Sequence, residues 1–562
     1  AFTHEPIHSF TQKRMTYIIY FYFAFMLSSL FMPVSIRLGR KLGIVDRPDS
    51  RKVHTTPIPR TGGLAVVAAS IVPVLLGLQS PLVWGFFAGG LCLFVFGLLD
   101  DWRNLNYRVK LLAQIVSALI FIAVSEVHVQ TLGELLPGVV VPAGVMAWPV
   151  TVVFMVAAMN IVNLADGLDS LAAGLVLITL ICCGFLAFQQ TDFPELILLV
   201  SLAGALIGFL RYNLHPAQVF MGDTGSQFLG YTLAVVLLAL TQGNSIYSPV
   251  LPLFVLGIPI IDMALVMYER SRDGRSIFQP DKNHLHHKCL HLGLNHEQAV
   301  MAIYLLHLAL VGLGWTLRFS RDYVVLGSYL AILGGSLAVR ILIRHYSDQA
   351  KRLVWSLVNR FSWLGRELNI AVNRQLISKF CWRSFFLFFA VYFLISPIYL
   401  KQGTPLVGVA GLGLMLVAFG ALFLSRNYPD LVMQVILILC TFYVIVQAES
   451  SQNGIGCWVL DMELSHLIFL LVTVFYALCL LLTPEKNPFD AMDFIFVSLA
   501  VFVFFIPVPV EGADMFKSIL IKAVFFSLAI KLIFSRIQRN RRYVLALNVY
   551  TLGVAAMMGL LG

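Results

Sequence analysis

Apolar stretches of about 16 to 21 residues recur along the chain, each long enough to cross a hydrocarbon core as a helix. They lie at about 17–35, 64–78, 82–99, 109–125, 149–165, 170–188, 195–210, 227–241, 249–268, 299–317 and 323–343. A second series follows at about 385–400, 405–424, 431–448, 465–483, 493–511, 515–534 and 543–561. The pattern predicts an all-α, polytopic transmembrane helix bundle of about eighteen spans, about eleven in the first series and about seven in the second.

The polar connections carry the orientation. With residues 1–16 outside, the inside loops hold roughly 30 of the Lys and Arg residues and the outside loops about 6. The segment before Met15 is polar without a helical pattern, and reads as an extracytoplasmic tail or as a tag ahead of a start at Met15. No small-residue cleavage site follows the first apolar stretch, which is expected to be a retained helix.

Inside loops over 17–343 are rich in Asp, Asn, His and Gly, whereas connections after 384 are short and bland, so the chain divides into a core and a C-terminal membrane part, 384–562. Between them, over 344–383, Leu357, Phe361, Leu364, Leu368 and Val372 share one helical stripe, with Arg360, Arg366, Glu367 and Arg374 elsewhere around the helix. This predicts an amphipathic interfacial linker on the inner leaflet, the other reading being a docking site for a partner protein.

Composition agrees with a bilayer as solvent: 59% of residues are hydrophobic, 12% are charged and the mean hydropathy is +0.85. The formal charge of +10 is spread over loops that face anionic lipid, which argues against nucleic acid. Cys92, Cys182, Cys183, Cys440 and Cys479 lie inside apolar segments without metal-ligand spacing and read as packing residues.

Acidic residues gather at one rim. Asp100 and Asp101 end the third span, Asp166 and Asp169 the fifth, Asp223 precedes the eighth, and Asp262 lies late in the ninth. Carboxylates so near hydrocarbon are costly and mark a site. The adjacent pair Asp100-Asp101 repels itself, and a divalent cation relieves that repulsion. Mg²⁺, with Mn²⁺ as a substitute, takes one or two carboxylates plus substrate phosphate oxygens, and Asp223, within Phe220-Met221-Gly222-Asp223-Thr224-Gly225-Ser226, is the best further ligand. Its glycines permit close backbone approach, and its hydroxyls serve phosphate or a helix cap.

Asn160, Asn163, Asp166 and Asp169 recur every third position, forming a stripe suited to a base and ribose, or else a polar packing seam between helices. The loop after the ninth span brings Arg270, Arg272 and Arg275, then His284-Leu285-His286-His287. No second cluster with zinc-finger spacing follows, so phosphate or sugar binding is the reading. Lys52, His54 and Arg60, before the second span, are either a positive-inside loop or contacts to a lipid phosphate.

Together these residues resemble the polyprenyl-phosphate N-acetylhexosamine-1-phosphate transferase family, over about residues 17–343. The resemblance rests on Asp100-Asp101, Asn160 to Leu171, Phe220 to Ser226 and His284 to His287, in family order. It implies a UDP-N-acetylhexosamine donor, an undecaprenyl phosphate acceptor, release of UMP, and residence in a bacterial inner membrane with the site facing the cytoplasm. It also implies Asp100, Asp101 and Asp223 as catalytic residues, Asp223 and Asp101 on Mg²⁺, and Asn160, Asn163, Asp166, Asp169 and Phe220 on the nucleotide. Arg272, His284, His286 and His287 fall to the pyrophosphate and sugar. Asp100 would orient or deprotonate the acceptor phosphate, or form a covalent aspartyl-phosphate. The related phospho-N-acetylmuramoyl-pentapeptide transferases carry three consecutive histidines, which Leu285 interrupts here. A homodimer is compatible with the pattern. A secondary transporter is the rival class, although transporter acids lie nearer the midplane. Residues 384–562 match no family pattern, and Lys522, Lys531, Pro507 and Pro509 leave transport, lipid handling and a scaffold open.

Overall fold

A computed structural model describes residues 7–47, 56–77, 80–190, 196–274 and 283–345, with Arg352. The chain divides into units 1–356 and 357–562, and the second lies outside the described residues, as do the second series of spans, Lys52, His54 and the interfacial linker apart from residues 344, 345 and 352.

Each apolar stretch expected between 17 and 343 coincides with a helix, except 249–268, which is divided between two. Along the chain these are α1 (Ile7–Leu42), α2 (Gly62–Gly77), α3 (Pro81–Arg103), α4 (Tyr107–Ser125), α5 (Ala147–Ala165), α6 (Leu171–Gln189), α7 (Leu196–Asn213) and α8 (Gly222–Thr241). There follow α9 (Pro252–Val255), α10 (Gly257–Arg272), α11 (Leu285–His291), α12 (His296–Leu317) and α13 (Asp322–His345). Among the described residues, eight helical segments are long and apolar enough to cross a membrane.

Four differences from expectation have local causes. Helix α1 starts at Ile7, not near residue 17, because residues 7–16 contain neither Gly nor Pro to stop it. The expected span 249–268 is broken: α9 ends at Val255 and α10 begins at Gly257, where Pro259 lacks an N–H to continue the ladder. Helix α8 begins at Gly222, a turn earlier than expected, which places Asp223 in its first turn. The described unit is also not wholly α. Strands β1 (Val45–Asp46) and β2 (Ile58–Pro59) pair antiparallel, as do β3 (Thr131–Leu136) and β4 (Val139–Pro142) across the Pro137-Gly138 turn.

Helix α8 is the axis of the unit, packed by α2, α3, α5 and α6 and buried along nearly its whole length. Its neighbours α3 and α5 bring their C-terminal ends to its N-terminal end. The β3–β4 hairpin closes the opposite end, where Gln242 beyond α8 accepts from the N–H groups of Gln130 and Thr131. Caps fix where the helices start: Asn106 accepts from Arg108 N at the start of α4, and Asn295 and Gln298 form a reciprocal capping box on α12. A cap of this kind contributes about 1 kcal/mol.

Candidate active site

The acids meet where the first turn of α8 abuts the last turn of α3. Asp101 Oδ1 accepts the N–H of Asp223 at 2.8 Å, and its Oδ2 accepts the N–H and hydroxyl of Thr224 at 3.0 and 2.5 Å. Asp101 thereby caps α8 from another helix, satisfying orphan N–H groups and the positive end of the helix dipole. Gly222 makes room for it. Its φ is +72°, and a Cβ there would lie 2.7 Å from both Asp101 carboxylate oxygens.

Asp223 faces two further elements. Its Oδ1 accepts from Asn163 Nδ2 at 2.7 Å, and its Oδ2 lies 2.6 Å from Lys110 Nζ. Lys110 in turn lies 2.5 Å from Asp100 Oδ2, while Asp100 Oδ1 accepts the Leu105 N–H at 2.7 Å. Asp100 is 2% exposed and lies off the cavity wall, paired with Lys110. It sits behind Lys110.

A cavity of about 630 Å³ opens in front of this group, within the range of sites that hold small ligands. Asp101, Asn163, Asp166, Asp169, Phe220, Asp223 and His287 line it, together with Arg60. Burial, then the charges of Asp223 and Asp101, push the Asp166 carboxyl up to about 7. Asp169 Oδ2 accepts from His215 Nδ1 at 2.7 Å and from the Ala217 N–H at 3.2 Å. The His215 ring stacks on His296, centroids 4.1 Å apart. Asp169, His215 and His296 bring ligand atoms within 4.8 Å of one another, but with the rings stacked the in-plane lone pairs run side by side, which suits orientation of His215 better than a shared cation.

Besides Asp100, four expected site residues lie off the cavity wall. Asn160 donates to Gln114 Oε1 at 2.8 Å, and Gln114 to Gln227 at 3.2 Å, a buried seam joining α5, α4 and α8. A buried amide is costly without partners, and this seam supplies them. Arg272 is exposed at the end of α10, away from the cavity. His284 is buried against Asp262, its Nδ1 2.9 Å from Oδ2. His286 is buried against Gly167, where a Cβ would lie 2.4 Å from Nε2, so only glycine admits the ring. Burial holds the His286 imidazole down at about 3, hence neutral. Of the histidine loop, His287 reaches the cavity.

Arg60 lines the cavity, and its guanidinium is engaged by Asp46 and donates to Asn104 Oδ1 at 3.3 Å. The β1–β2 pairing, with Asp46 opposite Ile58, brings the two together. Asp46, Lys110, His215 and His296 were not foreseen as site residues. Two had signals: Asn295-His296-Glu297-Gln298 has capping-box spacing, which fixes His296 at the first helical position, and Asn106 caps the helix whose first turn carries Lys110.

The pattern Glycosyl transferase family 4 matches residues 83–241, from α3 through α8. A probable undecaprenyl-phosphate N-acetylglucosaminyl 1-phosphate transferase of Bacillus subtilis is 36% identical over 302 residues, 52% of this chain and 83% of its own length. The chain belongs to this family of polyprenyl-phosphate sugar-1-phosphate transferases. A Yersinia pestis undecaprenyl-phosphate alpha-N-acetylglucosaminyl 1-phosphate transferase is 32% identical over 318 residues, covering 55% of this chain and 87% of that family member. A decaprenyl-phosphate N-acetylglucosaminephosphotransferase of Mycobacterium tuberculosis is 35% identical over 302 residues, 48% and 74% of the two chains. Family membership and the apolar helices make this chain an integral membrane protein.

Proposed function

We propose that this protein transfers N-acetylglucosamine 1-phosphate, or a closely related N-acetylhexosamine 1-phosphate, from its UDP derivative to undecaprenyl phosphate at the cytoplasmic face of a bacterial inner membrane. The observation that carries this reading is the convergence of Asp101, Asp166 and Asp223 on one cavity, beside Lys110 and His287, in a chain whose relatives bear that activity in their names. A UDP-sugar is cytosolic and a polyprenyl phosphate keeps its head group at the inner leaflet, so a rim site is where the two can meet.

In the reaction, an oxygen of the lipid phosphate attacks the phosphorus that bears the sugar. A new P–O–P bond forms, the old diphosphate bridge breaks, and UMP leaves with the bridging oxygen. Such a transfer needs positioning and charge neutralisation above all. Lys110 holds Asp223 in place from one side and Asn163 from the other, while Asp100 fixes Lys110. The Asp169–His215 pair orients one wall for the nucleotide, and Phe220 lines the same cavity.

The donor set also suits a hard divalent cation: the cavity offers carboxylate oxygens from Asp101, Asp166 and Asp223, and the Asp166 carboxyl is raised first by burial and then by the neighbouring carboxylates, a cost that a cation would offset. We infer that Asp223 and Asp101 hold Mg²⁺, which when bound supplies positive charge against the donor diphosphate. Mn²⁺ has the same preference for oxygen ligands and is expected to substitute.

The test is to incubate membranes containing the protein with undecaprenyl phosphate and a panel of labelled UDP-sugars. Lipid-linked product from UDP-N-acetylglucosamine, with UMP released in equal amount and lost in EDTA, is expected. Absence of lipid-linked product from every donor would overturn the proposal.

A further inference from the structure

His287 reaches the cavity from a helix too short to hold its own position. Helix α11 (Leu285–His291) makes two turns, and an isolated helix of that length does not persist in water. Two contacts fix it. On one side, the His286 ring rests on Gly167 in the turn that carries Asp166 and Asp169. On the other, Asp262 of α10 accepts the Leu285 N–H at 2.8 Å and pairs with His284 Nδ1 at 2.9 Å.

Asp262 does not act alone. Arg340, near the end of α13, forms two bonds to Glu269 of α10, Nε to Oε1 at 2.9 Å and Nη2 to Oε2 at 3.1 Å. Its Nη2 also donates to the carbonyl of Asn283 at 2.5 Å, the residue before His284, and Nη1 lies 3.9 Å from Asp262 Oδ1. Lys288 of α11 completes the group, 2.7 Å from Glu269 Oε1. The guanidinium side chain is 10% exposed and the Glu269 side chain 13%, so water competes weakly for these bonds.

We propose that Arg340 and Glu269 are positioning residues that set the place of His287 on the cavity wall by clamping the entry of α11 between α10 and α13. The clamp lies at the base of the histidine helix, and its only route to the cavity among the described residues of that helix is through His287 and Leu290. Arg is required for geometry as well as charge: its planar fork meets the Glu269 carboxylate while one nitrogen still reaches a backbone carbonyl, a combination an ammonium cannot reproduce. The consequence for activity rests on the transferase reading above, with His287 as a contact to the donor.

A double-mutant cycle in the full-length protein tests this. R340M is expected to raise the KM for the UDP-sugar about tenfold with kcat changed much less, and R340K to recover part of the loss. In an H287A background R340M is expected to add less than about twofold, because the residue it acts through is gone. Fully multiplicative effects of R340M and H287A would overturn the inference, as would an unchanged donor KM in R340M. A second readout stands apart from activity: modification of His286 by diethyl pyrocarbonate, followed by mass spectrometry. The wild-type ring is protected by burial, and R340K and R340M are expected to expose it to modification several times faster. Unchanged modification in both variants would overturn the clamp even if no transfer were detected, whereas loss of protection without transfer would leave the clamp standing and count against the transferase reading.

Discussion

The ammonium of Lys110 lies 2.6 Å from the carboxylate of Asp223, joining residues 113 apart in the chain across the seam between α4 and α8. The same nitrogen lies 2.5 Å from Asp100, so one lysine offsets two of the acids crowded at this rim. Its side chain and that of Asp223 keep about three-tenths of their exposure, which leaves the pair partly screened by solvent. The contact matters more for the placement of Asp223 than for stability.

Substitution K110M is therefore expected to lower transfer about a hundredfold while shifting thermal stability by only about 1 kcal/mol. K110R, which keeps the charge but changes its shape, is expected to fall between. Initial rates of UMP release and a melting curve on the same preparations check both.

The cap supplied by Asp101 makes a separate expectation. D101A removes the acceptor for the N–H groups of Asp223 and Thr224, at a cost of about 1 kcal/mol or more to the start of α8. G222A strains the same turn twice, through a φ of +72° and a Cβ against the Asp101 oxygens. Both variants are expected to lose activity and to melt earlier than wild type. A melting temperature unchanged in both would contradict the capping role.

The Asp166 carboxyl gives a pH dependence whose sign follows from its shift. Its folded value of about 7 stands above the ordinary 3.8, so between those values the folded protein keeps a proton that the unfolded chain has lost. Stability from this group is full below the lower value and is lost as pH rises toward the upper one. A divalent cation favours the ionised form. The rise in melting temperature on adding Mg²⁺ is expected to be larger near pH 8 than near pH 5.5, and D166N is expected to flatten that difference.

Gly167 links the histidine helix to the turn that carries Asp166 and Asp169. G167A places a methyl 2.4 Å from His286 Nε2, and the ring must move away. The donor KM is expected to rise about tenfold, with the KM for the lipid acceptor little changed. Equal rises for both substrates would mean that the substitution acts through general unfolding instead.

Much of this site was readable in the sequence because its residues stand out against apolar surroundings. Asp101, Asp166, Asp169 and Asp223 are acids at hydrophobic helix ends, Phe220 adjoins the Gly222-Asp223 turn, and all of them line the cavity. Helix positions were readable for the same reason, a long apolar run being sufficient for a span. What escaped was direction. A spacing of three puts Asn160 and Asn163 on one drifting stripe, yet α5 turns Asn160 into a seam with Gln114 while Asn163 faces Asp223. Periodicity along one helix does not say which neighbour each residue meets. Lys110 and His215 escaped because a lone basic residue at a helix end reads equally well as a topology signal, and only the fold brings them to Asp223 and Asp169. The break between α9 and α10 was marked by Gly257 and Pro259, but the apolar run passes through them without interruption.

A phosphorylated sugar, not a bare sugar, is expected to move to the lipid. Purified protein given undecaprenyl phosphate and UDP-N-acetylglucosamine carrying ³²P at the sugar-bearing phosphorus separates the two directly. Label recovered in the lipid product, with unlabelled UMP in solution and neither in D223N, is the expected result. Label retained in a soluble UDP product would contradict the account.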